Sequence, residues 1–231
     1  MKSNERIIYG IIITAVVFAI ATFAGSKLDL NIEFLPYTFA THTAMLILSV
    51  GLIYGLKKHV NYKIALPPFK KILKPVLFGI LATIIVNIVM NVATNISGGK
   101  VEVHAALTKM SPLQVFLFVF IYASIAEELL FRGFLLNMLK PIKLKGIKIF
   151  KRNVSMPVLI SAVAFGLAHL ILITTGAGGL FILRIVVFTT ILGIIAGYYQ
   201  EKYDNNAFAI IVHMAGNLMG VIGALLMNIN S

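Results

Sequence analysis

Seven apolar stretches alternate with short polar connections along the chain. A helix needs about 20 mainly apolar residues to cross the hydrocarbon core of a bilayer. The pattern predicts spanning helices over residues 7–24, 34–56, 75–96, 112–139, 156–174, 180–199 and 207–227. The predicted fold class is therefore an all-α polytopic integral membrane protein with about seven transmembrane helices.

Composition supports this class and limits the available chemistry. Hydrophobic residues make up 59% of the chain and charged residues only 12%, which is far from an ordinary soluble domain. There is no cysteine, which excludes disulfides, a thiolate nucleophile and a cysteine-ligated metal. No connection is long enough for a separate soluble domain, so function resides within the spans. We predict one integrated membrane domain, with three helices in 1–111 and four in 112–231.

The net charge of +12 comes mainly from lysines in the second and fourth connections, 57–74 and 140–152. This placement follows the positive-inside rule and not the pattern of a nucleic-acid interface, so we expect lipid partners and no nucleic acid. It predicts a multi-pass protein of the cell membrane with a cytoplasmic N-terminus. A signal peptide is the alternative for 7–24. That run is long for a signal peptide and lacks a good cleavage site, which favours an uncleaved first span.

Few ionisable residues fall deep inside a predicted span. An acid or a base at the centre of a spanning helix costs roughly 2.5 to 3.5 kcal/mol on insertion scales. Such residues therefore mark a functional site that faces the protein interior. The deep residues are Glu127, Glu128, Arg132, His169 and His213.

Helix geometry divides these residues by role. Glu128 and Arg132 are spaced i, i+4 and can pair directly, whereas Glu127 points about 100° away from Glu128. We interpret Glu128 and Arg132 as a supporting pair and Glu127 as a candidate general base. The alternative is a buried ion network without chemistry. His42, near the outer end of the second span, we interpret as a polar residue at the membrane interface.

Two histidine motifs complete the set. His169 follows Phe165 by one turn, and His213 lies on one helix face with Asn217. From helical rise, Glu127 and His169 lie roughly 18 to 20 Å from the same membrane face, and His213 and Asn217 roughly 9 and 15 Å. Each histidine alone is typical of a polar helix contact. Together with the glutamates they supply a base, a second imidazole and an amide donor, as water-driven amide cleavage requires.

Other intramembrane protease chemistries fit the sequence less well. There is no H-E-x-x-H zinc helix, no aspartate within a predicted span, and no G-x-S-x-G or rhomboid-like serine motif.

The three motifs resemble those of a known family. E-E-L-L-F-R (127–132), F-G-L-A-H (165–169) and H-M-A-G-N (213–217) are similar, in order and in mid-span position, to the motifs of the CPBP intramembrane proteases. That family contains the type II CAAX prenyl endopeptidases and the Abi bacteriocin-processing or immunity proteins. The resemblance covers about 112–227, and members often have eight spans, so an eighth, peripheral helix is an alternative to seven.

The resemblance implies catalytic roles around a polar cavity. By it, Glu127 with His169 would activate the attacking water, and His213 with Asn217 would stabilise the oxyanion. The family is often labelled metalloprotease, and Glu127, His169 and His213 would be the ligands if a zinc ion were used. A metal-independent mechanism is equally open from the sequence.

Three functions remain open at this point. The leading prediction is an intramembrane endopeptidase that hydrolyses a peptide or protein substrate, with CAAX-type C-terminal processing as a family-level expectation and prenylation of the substrate undecided. The second is a non-proteolytic immunity or scaffold protein of the same family. The third is a small proton-coupled transporter, because Glu and His inside a membrane also mark proton relays.

Overall fold

The computed structural model describes residues 1–28, 30–104, 108–149 and 151–229, with no side-chain detail for 227–229. Within these residues the chain forms seven apolar helices. Six are long and apolar enough to cross a membrane, and one is shorter. The helices are α1 (Ser3–Lys27), α2 (Phe39–Gly55), α3 (Phe69–Ile96), α4 (Pro112–Met138), α5 (Met156–Ala168), α6 (Gly179–Tyr203) and α7 (Ala207–Ile229).

The outward faces of these helices are apolar, as lipid contact requires. On α1 the exposed side chains include Ile8, Ile12 and Ile20, and on α3 they include Ile84 and Ile88. A soluble protein would cover or replace such extended apolar faces. The chain is therefore a multi-pass, all-α membrane protein, which confirms the predicted fold class.

Helix α4 begins with a complete local signal. Ser111 is its N-cap, Pro112 occupies the first turn, and Gln114 reaches back to the Ser111 amide over 2.7 Å. Two π-helical stretches, Val115–Ala123 and Leu129–Leu135, follow on either side of a short α-helical turn. π-helical insertions occur frequently at functional sites, and this turn carries both glutamates.

The predicted start of the second span was wrong. The 34–38 segment forms turns instead of helix, and α2 begins only at Phe39. The amide of Phe39 donates to the carbonyl of Pro36, which closes the last of these turns. With 17 residues, α2 is short for a full crossing. His42 consequently lies in the first turn of α2 and not in its interior.

The fourth connection, between α4 and α5, contains an element that the pattern did not predict. Residues Gly146–Ile149 and Arg152–Ser155 form an antiparallel hairpin in which Gly146 lies opposite Ser155. A Cβ atom on Gly146 would lie 2.3 Å from the carbonyl oxygen of Val154, so a larger residue would not fit the pairing. Each strand is only 4 residues long. An alternation of polar and apolar residues over so short a segment cannot be distinguished from a loop sequence.

α4 lies at the centre of the packing. Its second half forms the largest core cluster together with α1, α2 and Phe165 of α5. α3 packs instead against α6 and α7. Gly79 of α3 approaches the backbone of Val212 closely, and the Thr83 hydroxyl donates to the carbonyl of Gly216 over 2.8 Å. α1 and α2 thus contact α4, and α3 contacts α6 and α7. Because of these contacts, we propose that 1–111 and 112–231 form one integrated domain.

Candidate active site

The two adjacent glutamates face different partners. Both lie on the short α-helical turn Ser124–Glu128 between the π-helical stretches of α4. Glu128 is buried, with only 1% of its side chain exposed, whereas the Glu127 side chain is 16% exposed. Glu127 is therefore the carboxylate that a substrate or a water molecule can reach.

Glu128 and Arg132 form a buried ion pair, as their i, i+4 spacing predicts. Arg132 Nη1 donates to Glu128 Oε1 over 2.9 Å, and the arginine side chain is fully buried. Its guanidinium also lies 4.5 Å from the centre of the Phe165 ring, within the range of a cation–π contact. This pair fixes the orientation of the second carboxylate.

His213 of α7 lies between the two glutamates. Its Nδ1 donates to Glu128 Oε1 over 2.9 Å, and its Nε2 lies 3.8 Å from Glu127 Oε2. A carboxylate bonded to one ring nitrogen orients the imidazole and presents the other nitrogen to the site. Glu128 therefore positions His213 while Arg132 compensates the Glu128 charge.

His169 ends α5, where the helix tightens into the 3₁₀ turn His169–Thr175. Its Nδ1 lies 3.0 Å from the carbonyl oxygen of Phe165, which leaves Nε2 for the site. The Phe165 ring contacts the rings of His169 and His213 edge to face, at 5.1 and 5.4 Å between centroids. Among the described residues, the ion pairs of Glu127 are with His42 and His213 and not with His169.

Asn217 lies one turn after His213 on α7. Its Nδ2 donates to the carbonyl of Val119 over 3.3 Å and to the Ser124 hydroxyl over 3.2 Å. Asn217 is thus brought to α4 next to the glutamate-bearing turn. Both of its N–H donors are engaged with α4 in this arrangement.

His42 of α2 lies at the candidate site, where the sequence interpretation did not place it. Its Nε2 lies 3.3 Å from Glu127 Oε1, although we had interpreted it as an interfacial residue. The packing of the first turn of α2 on Tyr122 of α4 explains the difference, because it brings His42 next to the glutamate-bearing turn. Pro36 is the sequence signal for the later start of α2, since the residue before a proline is biased away from the helical conformation.

The residues proposed for a metal do not fit one. In the described part of the chain, no three His, Cys, Asp or Glu side chains are grouped so that they could hold a metal ion. Nδ1 of His213 bonds Glu128 and Nδ1 of His169 faces a backbone carbonyl, so each ring would have only Nε2 for a metal ion. Because the three side chains are not grouped as ligands, the zinc site of Glu127, His169 and His213 that the resemblance left open is not supported by this geometry.

Together, the fold and the cluster define a polytopic membrane protein with a carboxylate–imidazole site buried among its helices. Residues 109–219 match a protein-family model described as Type II CAAX prenyl endopeptidase Rce1-like. This match over residues 109–219 confirms the resemblance seen in the three motifs. No curated protein and no solved structure gives a significant match to the chain.

Gly193 of α6 provides the space for the Arg132 guanidinium. A Cβ atom there would lie 2.2 Å from Arg132 Nη2 and 3.1 Å from Ala162 Cα. Because Glu128 and Phe165 hold the guanidinium in place, it cannot move without losing contacts. We expect Gly193→Ala to lower the free energy of unfolding by about 1 to 3 kcal/mol, the usual cost of overpacking, measured by thermal unfolding in detergent.

Gly51→Ala is the matched control for this substitution. Gly51 lies in α2, and a Cβ atom there would meet nothing within 4 Å. Since alanine favours a helix over glycine by about 0.5 to 1 kcal/mol, this variant should be unchanged or slightly more stable. Equal destabilisation by both substitutions would contradict the role assigned to Gly193.

Proposed function

We propose that the protein is an intramembrane endopeptidase in which a water molecule activated by Glu127 attacks the scissile carbonyl. The observation that carries this proposal is the position of Glu127. It is a partly exposed carboxylate held between the imidazoles of His42 and His213, 3.3 and 3.8 Å away. The family description of residues 109–219 as an endopeptidase supports the same reaction.

The first step is a proton transfer. Glu127 accepts a proton from the water, and the resulting hydroxide-like oxygen forms a bond to the carbonyl carbon of the substrate. His169, whose Nδ1 is occupied by the Phe165 carbonyl, would use Nε2 to hold this water together with Glu127. The carbonyl double bond becomes a single bond to a negatively charged oxygen.

The second step breaks the peptide bond. The oxyanion accepts hydrogen bonds from His213 Nε2–H and from Asn217 Nδ2–H, once Asn217 exchanges its 3.2 Å contact with Ser124 for the substrate. When the carbonyl re-forms, the C–N bond breaks, and the leaving amine takes the proton that Glu127 carries. Glu127 returns to its ionised form.

The charge balance of the cluster favours this role for His213. Glu127 and Glu128 bring two negative charges and Arg132 one positive charge. A buried cluster is most stable when its charges are compensated, and donation from both nitrogens of His213 requires its imidazolium form. His213 contacts both carboxylates, and as an imidazolium it donates from both nitrogens, to Glu128 and to the oxyanion.

The substrate that the family description suggests is a protein whose C-terminal region carries a prenyl group. Cleavage near that C-terminus would take place at the membrane, where the apolar group partitions. We propose this substrate class for the chain, and the test compares a prenylated C-terminal peptide with the same peptide lacking the lipid.

We propose a cytoplasmic N-terminus in the cell membrane. The contacts of Asp204 support this, because they join three connections at one end of the helices. Asp204 lies 2.5 Å from Lys63 and 3.7 Å from Lys140. The hydrogen bond from Lys63 holds the pKa of Asp204 below its ordinary value. Two lysine-rich connections on one side are what the positive-inside rule expects of a cytoplasmic face.

His213→Ala and Asn217→Ala are each expected to lower kcat. Removing one oxyanion donor costs about 10²- to 10³-fold in kcat in well-studied hydrolases. The measurement is the initial rate of peptide cleavage by the purified protein in detergent. Val119→Ala removes a side chain near Asn217 but not the backbone carbonyl, and its rate should stay near that of wild type. Full activity of Asn217→Ala would remove Asn217 from the proposed oxyanion site.

A further inference from the structure

We propose that His42 is a positioning residue that fixes the rotation of the Glu127 carboxylate, an inference that rests on the proposed function. His42 Nε2 lies 3.3 Å from Glu127 Oε1, and His213 Nε2 lies 3.8 Å from the other oxygen, Oε2. The two carboxylate oxygens therefore have different partners. His42 holds Oε1, which leaves Oε2 on the side of His213, where the water and the oxyanion would be.

The contact comes from a part of the chain outside the matched family segment. His42 lies on α2, whereas the match covers only 109–219. His42 and Glu127 are 85 positions apart in sequence, so helix docking alone brings them together. The site is thus completed by a helix that the three motifs do not include.

Residues on both sides of His42 hold the first turn of α2 against α4. Thr43 donates to the carbonyl of Phe39 and shares a 2.8 Å hydrogen bond with the Tyr122 hydroxyl of α4. The ring of Phe39 stacks on Tyr122 at 5.4 Å and 20°. The His42 ring meets Tyr122 edge to face at 6.5 Å. These contacts leave little freedom for the imidazole.

The hydrogen bond has a defined direction. An ionised carboxylate only accepts hydrogen bonds, so His42 Nε2 carries the proton and donates to Glu127 Oε1. A carboxylate with one oxygen held in this way cannot rotate to present either oxygen to the water. His42 does not reach the reacting atoms itself. Its loss should therefore reduce the rate of the chemical step and leave substrate binding unchanged.

The test compares His42→Ala with His42→Gln by peptide cleavage in detergent. The alanine variant loses the donor, and because small misplacements of a reacting group cost on the order of 10²-fold, we expect kcat to fall by about that factor with KM unchanged. The glutamine amide can place an N–H near the position of Nε2, so His42→Gln should recover most of kcat. His59→Ala, just beyond the other end of α2, is the control and should match wild type.

A second measurement tests the contact without a substrate. The melting temperatures of His42→Ala, Glu127→Ala and the double variant in detergent form a cycle. If the two side chains interact, the shift of the double variant is smaller than the sum of the single shifts. Additive shifts would overturn the inference whether or not the protein cleaves peptides.

The two proposals fail in different ways. Wild type that cleaves none of the peptides contradicts the proposed function, and the melting cycle then decides whether His42 holds Glu127. Wild type that cleaves, with Glu127→Gln inactive and His42→Ala at full rate, leaves the proposed function intact and overturns the role of His42. A fall in kcat that glutamine does not restore would also contradict a role as hydrogen-bond donor.

Discussion

Glu127→Gln is expected to abolish peptide cleavage and to leave the fold intact. The amide cannot accept a proton from water, and the loss of a general base typically costs about 10²- to 10⁴-fold in rate. Glutamine has nearly the same volume and still accepts a hydrogen bond from His42, so the helix packing around it should not change. The measurement is kcat for a peptide substrate beside the melting temperature of the same preparation.

Glu33→Gln is the matched control for this prediction. It makes the same chemical change at an exposed acid in the connection between α1 and α2. Its rate should equal that of wild type. Residual activity of Glu127→Gln near the wild-type rate would remove Glu127 from the role of base and weaken the endopeptidase proposal itself.

Arg132→Met should have the largest effect on stability among the substitutions considered. It leaves Glu128, 1% exposed, without Arg132 and with His213 as its remaining hydrogen-bond partner among the described residues. Removing one member of a buried ion pair typically costs about 3 to 5 kcal/mol. Methionine also loses the contact with the Phe165 ring. Unfolding in detergent, followed by heat or denaturant, measures the difference from wild type.

Lys63→Met provides the comparison at an exposed pair. Lys63 and Asp204 are 57% and 51% exposed, and exposed pairs contribute only about 0 to 1 kcal/mol. The double variant Glu128→Gln with Arg132→Met should recover part of the loss, because no charge is then left without a partner. Equal effects of Arg132→Met and Lys63→Met would contradict the structural role of the buried pair.

Much of the site followed from the sequence because few charged residues occur inside the spans. Every intramembrane charge needs a partner, so a short set of residues was available to pair. Glu128, Arg132 and His213 do meet, and the spacing of Glu128 and Arg132 on one helix face was sufficient to predict their contact. The family resemblance in the three motifs was confirmed over residues 109–219.

The remaining features depend on contacts that a linear pattern does not contain. His42 reaches Glu127 through the packing of the first turn of α2 against α4, and an apolar run shows neither this packing nor where within it a helix begins. The hairpin from Gly146 is too short for its period to be recognised. The hydrogen bonds from Asn217 to α4 depend on how closely α7 approaches, which side-chain packing across helices decides. Helix identity was therefore predictable, whereas the start of α2 and the contacts of His42 and Asn217 with α4 were not.

The most direct test of the endopeptidase proposal is mass spectrometry of peptides incubated with the purified protein in detergent. One peptide carries a prenyl group near its C-terminus and the other has the same sequence without it. We predict that wild type produces two fragments whose masses sum to the substrate plus one water, and that Glu127→Gln produces none. Intact peptides after incubation with correctly folded wild type, or the same fragments from Glu127→Gln, would contradict hydrolysis at this site.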